Sequence, residues 1–135
     1  MSKKNVLILC TGNSCRSIMA EALINSKFTD CVYAQSSGVK ASGTVNSHAK
    51  SLLEEKSLWR DEYHSKTIDT VIDEEFDLVV TVCDSAKETC PIFSKAVKKI
   101  HVGFEDPSGK EDFEYVKTLT LIEKELLPII KKELC

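Results

Sequence analysis

The chain has 135 residues and a formal net charge of −3, with 42% hydrophobic and 29% charged residues. That length suits one domain with one core, and the slightly acidic balance lacks the basic footprint of a nucleic-acid binder. No stretch approaches the roughly 20 apolar residues of a membrane span. Met1-Ser2-Lys3-Lys4 runs straight into an apolar segment, without the longer apolar core and cleavage site of a signal peptide. A single cytoplasmic domain over 1–135, with reduced cysteines, is therefore expected.

Val6–Leu9 is a short continuous apolar run, as a buried parallel strand requires. Ser17 to Lys27 then reads as a helix capped by Ser17. Ile18, Met19, Ala22, Leu23 and Ser26 form its inner face, with Glu21 and Asn25 turned away. Cys31–Ser36 reads as a second strand, and 38–46 as a Gly/Ser/Asn loop. A helix from Ser47 to about Trp59 and a short helical segment over Ile68–Phe76 follow. Asp77–Val82 is a third strand ending at Cys83, and Lys99–Gly103 a fourth. The seam Phe113, Val116, Leu119, Ile122, Leu126 and Ile129 predicts one long helix over about 111–133, which Pro128 would kink. This order specifies an α/β fold, a four-stranded parallel doubly wound sheet with helices on both faces. Ligands of such sheets bind beyond the carboxyl ends of the strands.

At the end of the first strand stands Cys10-Thr11-Gly12-Asn13-Ser14-Cys15-Arg16-Ser17. A loop between strand and helix can turn its N–H groups inward, and the helix adds its positive end. Gly12 and Asn13 tolerate the left-handed backbone that such a ring needs. Arg16 offers a planar fork for two oxygens of an anion. The same field favours Cys10 as the attacking thiolate. Thr11, Gly12, Asn13, Ser14, Cys15, Arg16 and Ser17 are thus candidate oxyanion-binding residues around a candidate nucleophile, Cys10.

Two further motifs fall at the same sheet edge. Cys83 and Cys90 bracket a short polar loop. They read as a reversible disulfide or as two unrelated loop cysteines, and an anion-binding thiolate nearby favours the first. Asp106-Pro107 reads as an ordinary turn or as a stiffened loop presenting Asp106 as a general acid. Oxyanion chemistry needs a proton source, which favours the second. Cys31 reads as a small buried hydrophobe and Cys135 as exposed. The six cysteines contain no C-x2-C pair, and no histidine stands at a zinc-finger interval, so no metal and no cofactor are expected.

The loop 10–17, Met19-Ala20-Glu21, Val80-Thr81-Val82-Cys83-Asp84, Cys90-Pro91 and Gly103-Phe104-Glu105-Asp106-Pro107 resemble the thiol-dependent arsenate reductases built on the low-molecular-weight tyrosine phosphatase fold. The resemblance spans about residues 5–130. It implies that Cys10 attacks arsenate held by Arg16 while Asp106 protonates the departing oxygen. It further implies a relay in which Cys83 attacks the Cys10 adduct, arsenite leaves, and Cys90 moves the disulfide to Cys83–Cys90. Thioredoxin would reduce that disulfide, although a neighbouring branch uses glutathione and glutaredoxin. Phosphate and sulfate would mimic the substrate, and a monomer is expected. Thioredoxin-coupled members often bind potassium through residues equivalent to Asn13 and Glu21 and an acidic residue within the segment His64-Ser65-Lys66-Thr67. No carboxylate stands in that segment here.

Two other functions share these parts. A low-molecular-weight tyrosine phosphatase would use the loop and the acid. Its pattern has proline where this chain has Ile18, and aromatics where it has Ser108-Gly109, and it has no use for Cys83 and Cys90. A non-catalytic oxyanion-binding redox sensor would not need Cys10, Arg16 and Asp106 together.

Overall fold

The computed structural model describes residues 3–83 and 97–135. Its elements are β1 (Lys4–Cys10), α1 (Arg16–Lys27), β2 (Val32–Gly38), α2 (Ser47–Glu55), a 3-10 turn (Ile68–Thr70), β3 (Leu78–Thr81), β4 (Lys98–His101), α3 (Asp112–Glu125) and α4 (Leu127–Leu134). The strands form one parallel sheet in the order β2-β1-β3-β4. Val6, Leu7, Ile8 and Leu9 are all fully buried, so both faces of β1 are covered, as their unbroken apolar run requires. Helix α1 packs on β1 and β2 and against α2, α3 and α4.

The chain leaves β1 toward β2 on one side and returns to β3 on the other. The carboxyl ends of β1 and β3 therefore flank the switch point where sheets of this kind bind ligands. The ladder continues past the strands there. Val82 N–H donates to the Leu9 carbonyl (2.9 Å), Val102 N–H to Thr81 (2.9 Å) and Phe104 N–H to Val82 (3.0 Å). These bonds carry the 10–16 loop, Cys83 and the 104–106 segment to one rim.

Several sequence expectations need correction. Helix α1 starts at Arg16 with Cys15 as its cap, and Ser17 is buried in its first turn instead of capping it. Glu21 and Asn25 face the interior, whereas Ser26 is exposed. Asn25 serves there by bonding both the N–H and the carbonyl of Ala34 in β2 (2.8 and 3.0 Å). The expected long C-terminal helix divides at Leu126, because Pro128 cannot donate into a continuing helix and sits instead in the first turn of α4. The inner face of α3 is Tyr115, Thr118, Leu119 and Ile122, while Phe113 and Val116 are exposed. Steps of three or four from either aromatic reach Leu119 and Ile122, and the Tyr115 hydroxyl's bond from Asn46 Nδ2 (3.2 Å) favours the second phase. Helix α2 ends at Glu55, just before the left-handed Ser57 (φ 60°). Cys31 is joined by a disulfide to Cys135, across 104 residues, so neither is the free cysteine expected. This bond lies before the amino end of β2, at the opposite pole of the sheet from Cys10.

Candidate functional site

The loop after β1 is shaped by bonds to its outward carbonyls. Cys10, Thr11, Gly12 and Ser14 accept from the backbone N–H groups of Val39 (3.1 Å), Lys40 (2.9 Å), Ser42 (2.9 Å) and Asn46 (2.8 Å). The Ser65 hydroxyl adds a second bond to Gly12 (3.1 Å). Turning four carbonyls toward the 39–46 segment leaves the opposite side of the loop free for N–H groups, the arrangement an anion needs. Asn13 supplies the left-handed residue (φ 49°). Gly12 has no positive φ, so of the two candidates the asparagine makes the turn. Gly38 lets β2 approach: a Cβ there would lie 2.5 Å from the Thr11 carbonyl oxygen.

Behind the loop, Asn13 is fully buried and uses both ends of its amide. Its Nδ2 donates to Ser17 Oγ (2.8 Å) and Ser36 Oγ (2.9 Å), and its Oδ1 accepts from Lys66 N–H (2.8 Å). Ser36 passes the chain on, donating to Glu21 Oε1 (2.6 Å). Burial pushes the Glu21 carboxyl up to about 7, against the Ser36 bond and the Lys66 and Arg60 charges.

Residues 10–16 and Asp106 line a cavity of about 230 Å³. On its rim Arg16 is parked against the 104–106 segment. Its Nη1 donates to the Phe104 carbonyl (3.0 Å), and its Nη2 lies 3.6 Å from Asp106 Oδ2. Partial burial pushes the Asp106 carboxyl up, but bonds from the Ser108 N–H and hydroxyl, with Arg16 and Lys110, outweigh it and hold the group below its usual range. Cys83 is buried. Its sulfur lies 3.2 Å from Thr11 Oγ1, close enough to act on Cys10. Cys83 and burial raise Cys10 above the usual thiol range, while Arg16 and the Thr11 amide pull it down. The Arg16 pull is the field that the loop's sequence suggests, and Cys83 and burial oppose it. Two adjoining sulfurs share a proton more readily than both ionise. Burial, aided by Asp106 and opposed by Arg16, pushes Cys15 up to about 12.

Residues 5–134 match the model of the low molecular weight phosphotyrosine protein phosphatase family. The chain belongs to that family. Family members of two named kinds are close to it. Arsenate reductase 1 of Staphylococcus saprophyticus is 42% identical over 115 residues, covering 85% of this chain and 87% of that protein. The arsenate reductase structure from Archaeoglobus fulgidus is 32% identical, with a TM-score of 0.79, covering 93% of this chain and 98% of that one. A low molecular weight protein tyrosine phosphatase from T. tengcongensis is 27% identical with a TM-score of 0.83, covering 96% and 99%.

Against this family background the structure brings Cys10, Thr11, Gly12, Asn13, Ser14, Cys15, Arg16 and Asp106 around one cavity, with Cys83 acting on Cys10 from beside it. Ser17 is not among the lining residues, and its hydroxyl serves Asn13 from behind. Cys90 lies outside the described residues. Potassium, which family resemblance suggested, does not suit the groups beside Glu21. Asn13 Oδ1 is taken by Lys66 N–H, the segment 64–67 carries no carboxylate, and Lys66 and Arg60 direct positive charge at Glu21 against the single opposing charge of Glu62. Sequence reasoning passed over Ser36, Gly38, Asn46 and Ser65. Gly38 at a strand end and Asn46 before a helix were visible signals; Asn46 Oδ1 caps α2 by accepting from His48 and Ala49 N–H. The two serines are ordinary in sequence, and only the fold gives them partners.

Proposed function

We propose that this chain reduces arsenate to arsenite, taking the two electrons from Cys10 and Cys83. The observation that carries the reading is a second buried cysteine beside the cavity's own: Cys83 acts on Cys10, which lines the cavity, and its sulfur lies 3.2 Å from Thr11 Oγ1. Hydrolysis of a phosphate ester needs one sulfur; reduction by two electrons needs two. Arsenate enters the 10–16 loop, and Arg16 binds two of its oxygens. The Cys10 sulfur attacks arsenic, one oxygen leaves as water, and Asp106 supplies a proton to it. Cys83 then attacks the Cys10 sulfur. The sulfur–arsenic bond breaks with its electron pair on arsenic, which departs as arsenite, and a Cys10–Cys83 disulfide remains. Cys90 attacks Cys83, freeing Cys10 and giving Cys83–Cys90, which a dithiol protein of the thioredoxin type reduces. The enzyme acts as a cytoplasmic monomer in this reading. Among the described residues no helix is long and apolar enough to cross a membrane.

The cavity also holds the parts that phosphate monoester hydrolysis needs, a cysteine, an arginine and an acid, so the phosphatase reading stands second. One experiment separates them. Arsenite formation is followed with thioredoxin, its reductase and NADPH, beside hydrolysis of an aryl phosphate. The reductase reading expects arsenate-dependent NADPH consumption that is lost in Cys10→Ser. Aryl phosphate turnover with no arsenite would establish the phosphatase instead.

A further inference from the structure

The site presents a difficulty for its own acid. Asp106 is ion-paired with the residue that must grip the substrate, and in that pairing it is an ionised carboxylate with no proton to give. We propose that Asp106 and a bound oxyanion compete for the Arg16 guanidinium, so that anion binding releases Asp106 from its ion pair and is coupled to uptake of a proton at its carboxyl. The inference rests on the oxyanion-binding reading of the 10–16 loop and specifies how that site arms its acid.

The geometry supports this in three ways. Arg16 spends both terminal nitrogens on the 104–106 segment, Nη1 on the Phe104 carbonyl and Nη2 toward Asp106. A rigid planar fork that turns to chelate an anion bidentately cannot keep both partners. Asp106 and the loop line the same 230 Å³ cavity, so an anion there is a direct electrostatic neighbour of the carboxylate. The Asp106 side chain is half-exposed at 50%, so a proton reaches it from solvent, while Arg16 is 15% exposed and keeps its charge inside the site. Charged and titratable groups facing Asp106 among the described residues are Arg16, Cys15 and Cys10 across the cavity and Lys110 on its own loop. Glu114 and Lys117 of α3 line the depression on its other side, with Glu105. The fixed bonds from Ser108 to Asp106 remain when Arg16 turns, so the carboxyl stays in place as it changes charge.

Coupling of this kind is reciprocal. If the anion favours protonated Asp106, protonated Asp106 favours the anion. Sulfate is the suitable probe because it does not titrate between about pH 4.5 and 7.5, so proton uptake on binding comes from the protein. Binding is measured by calorimetry in buffers of different ionisation enthalpy, on wild type and Asp106→Asn. Wild-type affinity should fall severalfold as pH rises across that range, with proton uptake at the acid end. Asp106→Asn should bind sulfate about as tightly at neutral pH as wild type does at low pH, with neither the pH dependence attributable to position 106 nor its proton uptake. Identical pH profiles in the two proteins would overturn the inference, as would failure of wild type to bind sulfate at any of these pH values. Arsenite formation is assayed on the same wild-type preparation. A missing linkage beside intact arsenite formation removes the inference alone. An intact linkage without arsenite formation removes the reductase reading alone.

Discussion

Glu21→Gln should abolish a pH dependence of stability that the native carboxyl imposes on the fold. Glu21 is 4% exposed in the middle of α1. Burial lifts its pKa from 4.5 to about 7, with Glu62 adding to the effect and the Ser36 bond, Lys66 and Arg60 opposing it. Between those values the folded protein holds a proton that the unfolded chain has released. Stability therefore declines as pH rises from about 4.5 to about 7 and stays lower above that window. The gap corresponds to about 3 kcal/mol at 1.36 kcal/mol per unit. Glutamine keeps the shape and an oxygen for the Ser36 hydroxyl but carries no charge. The variant-minus-wild-type difference in unfolding free energy should thus become about 3 kcal/mol more favourable to the variant between pH 4.5 and pH 8. Any fixed cost of burying the amide is the same at both ends and cancels. Urea unfolding of both proteins at several pH values, with the slope checked for constancy, gives the difference directly. A difference that does not change with pH would refute the buried, proton-holding carboxyl and the network drawn from it to Asn13.

Three other outcomes follow from named contacts. Cys83→Ser should stop multiple-turnover arsenate reduction while any aryl phosphate hydrolysis persists, measured as arsenite and phenolate release; equal losses in both would make Cys83 a packing residue. Gly38→Ala places a methyl 2.5 Å from the Thr11 carbonyl oxygen. It should cost about 1–3 kcal/mol in denaturant unfolding and weaken sulfate binding by displacing the loop. Cys135→Ser opens a covalent link across 104 residues. Under non-reducing conditions it should lower stability by about 2–4 kcal/mol, and a reductant should erase the difference in thermal melting between variant and wild type.

Much of the sheet was legible because its signals are local. Continuous apolar runs mark β1 and β3, and the punctuation after them puts Cys10 and Cys83 at strand ends. The anion loop was legible because its chemistry is written in consecutive residues. What escaped the sequence depends on contacts between distant segments. Glu21 looks like a solvent-facing charge by helical spacing, yet Ser36 of β2 and burial under neighbouring elements decide its place. The first turn of α3 offered two apolar phases, and Asn46, 69 residues away, selects the one that buries Tyr115. The Cys31–Cys135 link joins positions that no spacing rule relates. The upward push on Cys10 escaped for the same reason: the positive field is local, whereas Cys83, which opposes it, lies just beyond the end of β3.

The central claim is that Cys10 and Cys83 are the electron pair for arsenate. It is tested most directly by a single turnover without external reductant. Fully reduced protein is mixed with excess arsenate, arsenite is quantified per chain, and the thiols are alkylated and mapped by mass spectrometry. The account predicts one arsenite per chain, two thiols lost, and a disulfide containing Cys83, to Cys10 or onward to Cys90. In Cys90→Ser the bond should be trapped at Cys10–Cys83. Arsenite formed while Cys83 remains fully alkylatable, or no arsenite at all, would contradict it.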